Sequence, residues 1–375
     1  MTDSPEKILV RGVNWLGDAV MSTPALMRLR EARPDAHIGM VTPAKLAELW
    51  HSHPAVNEVI PFTKADGSGN LSKRLRAGGY QKVLILPNSF RSAFECWMAA
   101  IPVRVGFGGG GRAVFLTQVV PRRRAEIHLR KRTSIEIRKL VAETPEKPRD
   151  RFPQSGHQIH DYLHLVAAMG ASPSPLPPRI SVTDSEIAQF RGHHGISDAI
   201  TLIGLNPGAE YGPAKRWPVE YFVQCAARVH KTAPCAWLIT GGPADAPLAN
   251  EIAAGIQAAD SSARIHNLAG RTTLRELCVA LALCDVVLTN DTGPMHLAAA
   301  VGTTVVVPFG STSPELTGPG IPGDSRHRLI AGRAPCAPCF LRECPIDLRC
   351  LRSITPDAIA AELLATIPAS HQRPH

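Results

Sequence analysis

Aromatic residues are scarce, at 5% of the chain, no apolar run reaches the length of a bilayer, and Met1-Thr2-Asp3-Ser4-Pro5-Glu6-Lys7 contains no apolar export core. The first shortage argues against a stacking platform for nucleic acid, and no nucleic-acid module is recognisable either. The second excludes a membrane-spanning helix, and the third leads to the expectation of a cytoplasmic protein. Nine cysteines, an odd number without an export signal, read as reduced thiols rather than a disulfide framework. Nucleotide fingerprints are missing as well. The loop Arg11-Gly12-Val13-Asn14-Trp15-Leu16-Gly17-Asp18 has Asp18 and Ala19 where a P-loop needs Lys and Ser/Thr, and it lacks Gly-x-Gly-x-x-Gly. An ATPase and a conventional dehydrogenase both lose ground. Gly106-Phe107-Gly108-Gly109-Gly110-Gly111 does match the dinucleotide pattern in letters, yet Val114-Phe115-Leu116-Thr117 after it reads as extended rather than helical. Those glycines are expected to make a mobile loop.

A length of 375 residues suggests two domains with ample core. Both halves repeat short β-branched runs followed by amphipathic stretches, the pattern of βαβ units with parallel strands. Strands are expected at residues 8–11, 37–41, 58–61 and 82–86, then at 201–205, 236–240, 285–288 and 304–307, with a helix from Ala19 to Arg30 among those between them. Ala171-Ser172-Pro173-Ser174-Pro175-Leu176-Pro177-Pro178 can neither extend a helix nor serve a central strand, so it reads as a stiff linker. The expected division is a first domain over 1–175, a linker region over 171–200, a second domain over 201–356, and a C-terminal helix and tail over 357–375, with 369–375 frayed.

The formal charge of +9 is uneven: Arg122, Arg123, Arg124, Arg130, Lys131, Arg132, Arg138 and Lys139 share a short region with only Glu126 and Glu136 as acids. An anionic membrane surface or acidic substrate suits such a cluster, with a solvated helix face as the plainer alternative.

The richest stretch is Val286-Val287-Leu288-Thr289-Asn290-Asp291-Thr292-Gly293-Pro294-Met295-His296, an apolar strand, a polar turn and a helix start. Pro294 suits the first helical position, which puts Asp291 to Gly293 at a helix N-terminus. Partial positive charge and unpaired N–H groups there make a ready phosphate site. Asp291 or Thr292 serving only as a cap is the alternative. Asp18, at the mouth of the first sheet, is either a general base or an N-cap. The loop Leu205 to Pro218 follows the first strand of the second half, where phosphates are often held, and offers Lys215 as a compact positive charge. Thr240-Gly241-Gly242-Pro243-Ala244-Asp245 offers Asp245 to ribose hydroxyls or, equally, to its own turn. Arg271-Thr272-Thr273-Leu274 reads as a helix start capped by Thr273 or Thr272. Cys336, Cys339, Cys344 and Cys350, with gaps of two, four and five residues, allow a four-cysteine zinc site. Packed thiols, or a loop near the acceptor, fit the irregular spacing better.

Trp15-Leu16-Gly17-Asp18, Asn206-Pro207-Gly208-Ala209, Lys215-Arg216-Trp217-Pro218 and Asn290 to His296, in that order, resemble the lipopolysaccharide heptosyltransferases, glycosyltransferase family 9, from Ile8 to about Pro356. Pro87-Asn88-Ser89-Phe90-Arg91-Ser92 and the Cys-Ala-Pro-Cys-Phe-Leu-Arg-Glu-Cys-Pro run from Cys336 look most like the heptosyltransferase II branch. The resemblance implies the GT-B fold, two Rossmann-like doubly wound parallel-sheet domains facing a central cleft, the first for the acceptor and the second for the ADP-sugar donor. It implies inverting transfer of L-glycero-D-manno-heptose from ADP-heptose to the heptosylated inner core on lipid A, at the inner leaflet. Asp18 would be the base and Lys215 would neutralise the ADP leaving group. Asn206, Gly208, Ala209, Asp245, Asp291, Thr292, Gly293 and His296 would hold the donor; Asn14, Arg91, Arg122 and Arg130 would face the acceptor. No cofactor is expected, since no Asp-x-Asp metal motif occurs and a lysine with a helix terminus can carry diphosphate charge. The expected state is a monomer, cytoplasmic and peripherally associated with the inner membrane, without nucleic acid. Glu210-Tyr211 and flanking glycines depart from the hydroxyl residues of other branches, which leaves phosphate contacts there to the backbone. The segment from Lys131 to Gln154 carries no assignable motif. Two competing readings are a GT-B nucleotide-sugar epimerase and a non-catalytic binding protein for anionic lipid or nucleic acid.

Overall fold

A computed structural model describes residues 5–367, apart from 128, 145–146 and 198–199. The frayed tail expected over 369–375 therefore lies outside the described residues. The described chain divides into two units, one formed by Met1–Ile127 with Ser155–Ser181, the other by His128–Gln154 with Val182–His375.

The first unit carries β1 (Lys7–Arg11), β2 (His37–Pro43), β3 (Glu58–Phe62), β4 (Lys82–Ile85), β5 (Val103–Phe107) and β6 (Gln118–Val120), all parallel, in the order β3-β2-β1-β4-β5-β6. Around the sheet run α1 (Leu16–Ala32), α2 (Gly67–Ala77) and α3 (Phe90–Met98). A segment of the second unit supplies α4 (Ser134–Glu143) before the chain returns for α5 (Ile159–Ala167), which packs on α1. Leu9, Val41, Val83 and Ile85 from the three adjacent strands β1, β2 and β4 meet Ala93 and Cys96 of α3 in one core. Near-continuous apolar runs of this kind suit strands covered on both faces.

The second unit opens with α6 (Asp184–His194) and repeats the plan. Its strands are β7 (Thr201–Asn206), β8 (Cys235–Ile239), β9 (Arg264–Asn267), β10 (Val286–Thr289), β11 (Thr304–Phe309) and β12 (Arg328–Ala331), parallel and ordered β12-β11-β10-β7-β8-β9. The helices are α7 (Val219–Thr232), α8 (Ala246–Ala259), α9 (Leu274–Leu283), α10 (Gly293–Ala300), α11 (Pro314–Thr317), α12 (Arg349–Arg352) and α13 (Pro356–Thr366). Each sheet is thus a doubly wound Rossmann-like one, as the GT-B class has, and each reverses direction once, between β1 and β4 and between β7 and β10. Ligands of open α/β sheets bind outside the strand C-termini at such a reversal.

All eight expected strands are present. The four unforeseen ones, β5, β6, β9 and β12, are short or carry Arg, His or Asn within them, so periodicity gave little signal. Residues 114–117 were expected to be extended; instead Arg112–Phe115 form a 3-10 turn, entered from Gly109, Gly110 and Gly111, all with positive φ. Thr273 caps α9 in a full capping box: its hydroxyl accepts from the Glu276 N–H at 3.2 Å, and Glu276 accepts from the Thr273 N–H at 2.7 Å. Residues 128–154, placed by sequence inside the first domain, group with the second. The reason is physical: Ile137 is buried in the second core, and Arg132 donates to the Cys336 and Pro338 carbonyls at 2.8 and 2.9 Å. Helix α13 packs on α7, β10 and β11, so the C-terminal helix is also part of this unit.

Candidate functional site

In the first unit the reversal lies between the loop after β1 and the loop after β4, whose ends are level: Arg11 pairs in register with Ile85. Helix α1 begins two residues before Asp18, with Trp15 in the N-cap position and no side-chain cap. Asp18 is therefore a first-turn residue and not the cap. Its Oδ1 accepts from Tyr162 Oη at 2.9 Å and from Gln158 Nε2. Burial, and then the neighbouring Asp18 charge, push the Tyr162 phenol well above its usual pKa, so it stays a donor. Neither Tyr162 nor Gln158 was found from sequence, since α1 and α5 meet only in three dimensions. Pro24 removes the N–H that would bond the Val20 carbonyl, and the Thr23 hydroxyl donates to that carbonyl at 2.8 Å. The helix that carries Asp18 keeps its hydrogen bonding through that substitution.

Arg11 and Glu95 form a buried pair at 3.3 Å, and Glu95 also accepts from Arg91 Nε at 2.7 Å and Ser68 Oγ at 3.1 Å. Buried Arg112 holds the loop after β4 by donating to the Pro87 carbonyl at 2.6 Å, and burial lowers its pKa to about 10. Among the acceptor candidates, Asn14 and Arg91 are exposed in this unit. Arg122 lies over the Phe107 ring at 4.5 Å and pairs with Glu126 at 3.2 Å. Arg130 belongs to the other unit and pairs with Glu136. The basic cluster is thus split between the units, and Arg132 within it is a strut to carbonyls and Asp150 rather than an open charge.

The second unit assembles its reversal more tightly. Asn206 and Thr289, the last residues of β7 and β10, are in register. Fully buried Asn290 then ties three segments together: its Oδ1 accepts from the Trp217 N–H at 3.0 Å, and its Nδ2 donates to the Pro207 carbonyl at 2.7 Å. Lys215 Nζ thereby comes to 2.7 Å from Asp291 Oδ2, which also accepts from Thr312 Oγ1 at 2.5 Å. Helix α10 starts at Gly293 with Thr292 as N-cap residue, so Pro294 is second rather than first, and neither Thr292 nor Asp291 makes a side-chain cap bond. Asp291 is committed to Lys215 and Thr312 instead. His296 is buried one turn into the helix.

Three cations surround one ring: Lys215, Arg342 and Lys131 stand 5.1, 5.2 and 5.6 Å from the Tyr211 centroid, and Tyr211 Oη donates to the Phe340 carbonyl at 2.8 Å. Gly212 permits this approach, because a Cβ there would sit 2.5 Å from the Arg342 carbonyl oxygen. Asp245 lies against Gly208, accepts from the Gly242 N–H at 3.1 Å and faces Arg216 at 3.7 Å. Asn206 and Ala209 are buried, with Asn206 donating to Thr289 Oγ1 at 3.5 Å. Two buried atoms at this mouth, Asn206 Oδ1 and Ser311 Oγ, have no hydrogen-bond partner among the described residues. Such atoms are few in native proteins and point to a ligand or water.

Thr312, Ser311, Tyr211 and Asn290 carry the site with residues the sequence reading had selected. Phe309-Gly310-Ser311-Thr312-Ser313-Pro314 has the same grammar as Thr289 to Pro294, strand end, hydroxyl-rich turn and helix start, and that signal was available. Cys336, Cys339, Cys344 and Cys350 line one pocket together with Ala214 and Ser311. Burial raises the Cys336 and Cys350 thiols to about 11 and about 12. Among the described residues no group of three or more His, Cys, Asp or Glu is placed to hold a metal ion. The thiols pack as a buttress: a Cβ at Gly310 would stand 3.2 Å from Cys350 Sγ.

The sequence profile described as glycosyltransferase family 9 (heptosyltransferase) matches residues 69–349. The chain is 32% identical to lipopolysaccharide heptosyltransferase 2 of Salmonella typhimurium, over 87% of this chain and 89% of that one. It is 26% identical to lipooligosaccharide heptosyltransferase 2 of Campylobacter jejuni, over 97% and 99% of the two chains. Among solved structures, Escherichia coli ADP-heptose lipopolysaccharide heptosyltransferase II is similar with a TM-score of 0.74 and 29% identity, covering 96% of this chain and 98% of that one.

Proposed function

The chain belongs to glycosyltransferase family 9, the heptosyltransferases, and on that premise we propose how its two units divide the transfer of heptose onto lipopolysaccharide. It is a glycosyltransferase of lipopolysaccharide assembly, and the epimerase and non-catalytic alternatives fall with that membership. The finer reading is an inverting transfer of L-glycero-D-manno-heptose from ADP-heptose to the heptosylated inner core, by a monomer working at the inner leaflet.

The observation that carries the donor assignment is the Lys215–Asp291 pair at the start of α10, with Arg342 and Lys131 around the same loop. An ammonium has three donors, so Lys215 can stay on Asp291 and still reach a diphosphate oxygen. The Asp291 carboxylate itself repels phosphate. Its part is to aim Lys215 and to accept from a sugar hydroxyl, while the N–H groups at Thr292 and Gly293 take the phosphate. Gly208, Ala209 and Asn206 line the backbone side, Asp245 takes the ribose, and His296 supports the turn from within.

The acceptor assignment rests on Asp18. A base must be ionised and fixed, and the two donors from α5 and its N-cap position, Tyr162 and Gln158, hold one carboxylate oxygen. As the acceptor hydroxyl attacks the anomeric carbon, Asp18 takes its proton and the ADP oxygen leaves with its charge met by Lys215 and the α10 terminus. Asn14, Arg91, Arg122 and Arg130 would meet the acceptor's anionic groups. No cofactor is required for these steps. Purified protein mixed with ADP-heptose should release ADP only when a heptose-bearing core acceptor is added; equal release without acceptor would overturn the transferase reading.

A further inference from the structure

Helix α3 has two apolar faces where a helix on one core needs one. Ala93 and Cys96 are buried beneath it, while Phe90, Phe94 and Trp97, at i, i+4 and i+7, run along the other side. Phe90 is 52% exposed and Trp97 48%. The rings form a continuous ladder: Phe90 to Phe94 at 6.2 Å, Phe94 to Trp97 at 5.8 Å, and Phe115 touching all three between 5.0 and 5.5 Å. Val114 beside Phe115 is 76% exposed. In a chain with so few aromatics, four rings in contact at the surface of one unit are an anomaly, and contiguous exposed apolar patches mark interaction sites.

The charge around the ladder identifies what covers it. Glu95 is the only carboxylate between Asp66 and Glu126, a stretch with ten Lys and Arg, and it is fully buried and shared between Arg11 and Arg91. Arg76 donates to the Met98 carbonyl at 2.6 Å, at the end of α3, and Arg104 donates to the Phe115 carbonyl at 2.6 Å. Among the described residues both guanidinium groups, at the rim of the rings, have their positive charge met by carbonyl dipoles rather than by an acid. Aromatic rings flanked by uncompensated cations match a bilayer interface, with rings at the headgroup level and cations on anionic phosphates.

We propose that the Phe90–Phe94–Trp97–Phe115 ladder, with Arg76 and Arg104 at its rim, is the surface by which this protein docks on an anionic lipid bilayer. The proposal deepens the reading of a membrane-embedded acceptor given above, and its test involves no sugar transfer, so the two can fail separately. Full-length protein is sedimented with vesicles of phosphatidylethanolamine and phosphatidylglycerol, and with phosphatidylcholine vesicles. The wild type should bind the anionic vesicles, less so at high salt. F90Q/W97Q should bind about tenfold or more weakly while keeping its melting temperature and its turnover on an O-deacylated, soluble acceptor. Should that variant fold poorly, V114Q carries the same test, together with quenching of wild-type tryptophan fluorescence by brominated lipid. Three results would overturn the proposal: wild type that stays in the supernatant, variants that bind as wild type does, or a wild-type dimer that F90Q/W97Q converts to monomer.

Discussion

Lys215 and Asp291 sit 2.7 Å apart with side chains only 14% and 5% exposed, so each is the other's main electrostatic environment. Removing one partner of such a pair leaves a buried charge, which costs stability on its own account. A loss of activity in Lys215→Ala could then come from the broken pair alone. Two variants separate the effects: Lys215→Ala should lower kcat/KM by about 10²- to 10³-fold, and adding Asp291→Asn should restore melting temperature without restoring turnover. Recovery of turnover in the double variant would make Lys215 a structural residue. His53 offers a second test at this scale. It is 5% exposed, its Nδ1 accepts from the Ala55 N–H at 3.3 Å, and burial lowers its pKa from 6.5 to about 4. Between those values the unfolded chain takes up a proton that the folded chain does not. Stability should therefore fall as pH drops from 6.5 to 4, by about 3 kcal/mol from this residue. Urea titrations of His53→Asn should show that part of the slope gone; an unchanged slope would remove His53 from the account.

At the scale of elements, the second site is a meeting of strand ends, and Asn290 is the residue that joins them. Asn290→Ala leaves the Trp217 N–H and the Pro207 carbonyl without their buried partner, for a loss of about 3 kcal/mol. Because the same side chain sets the position of the Lys215 loop, the variant should also raise KM for ADP-heptose more than it lowers kcat. Equal donor binding by calorimetry in wild type and variant would contradict this. The sequence spoke clearly wherever an element was apolar and central: β1, β4, β7 and β10 stand where their runs of Ile, Val and Leu put them. It spoke weakly at sheet edges, where β9 reads Arg-Ile-His-Asn, and at helix starts, where Pro294 and Asp18 each proved displaced from the expected cap geometry. Local capping rules describe a helix in isolation, and here Asp291 has a stronger partner in Lys215 than any helical N–H. Tyr162 and Gln158 were invisible because α5 follows α1 by more than a hundred residues and meets it only through packing.

For the whole molecule, two doubly wound units of the same strand order each offer one reversal point, and the roles proposed for them are complementary: a fixed carboxylate in one, converging positive charge in the other. The segment 128–154 departs from chain order by serving the second unit, with Ile137 in its core and Arg132 and Arg149 gripping its loops; Arg149 donates to the Thr312 carbonyl at 2.6 Å. Its lack of a sequence motif follows from that work, since a strap that donates to carbonyls leaves no pattern beyond isolated arginines. The most direct test of the central claim is acceptor-dependent ADP release by Asp18→Asn. Turnover should fall by about 10³-fold or more, with ADP-heptose affinity near wild type and the melting temperature retained. Near-normal turnover in that variant would contradict the assignment of Asp18 as the base.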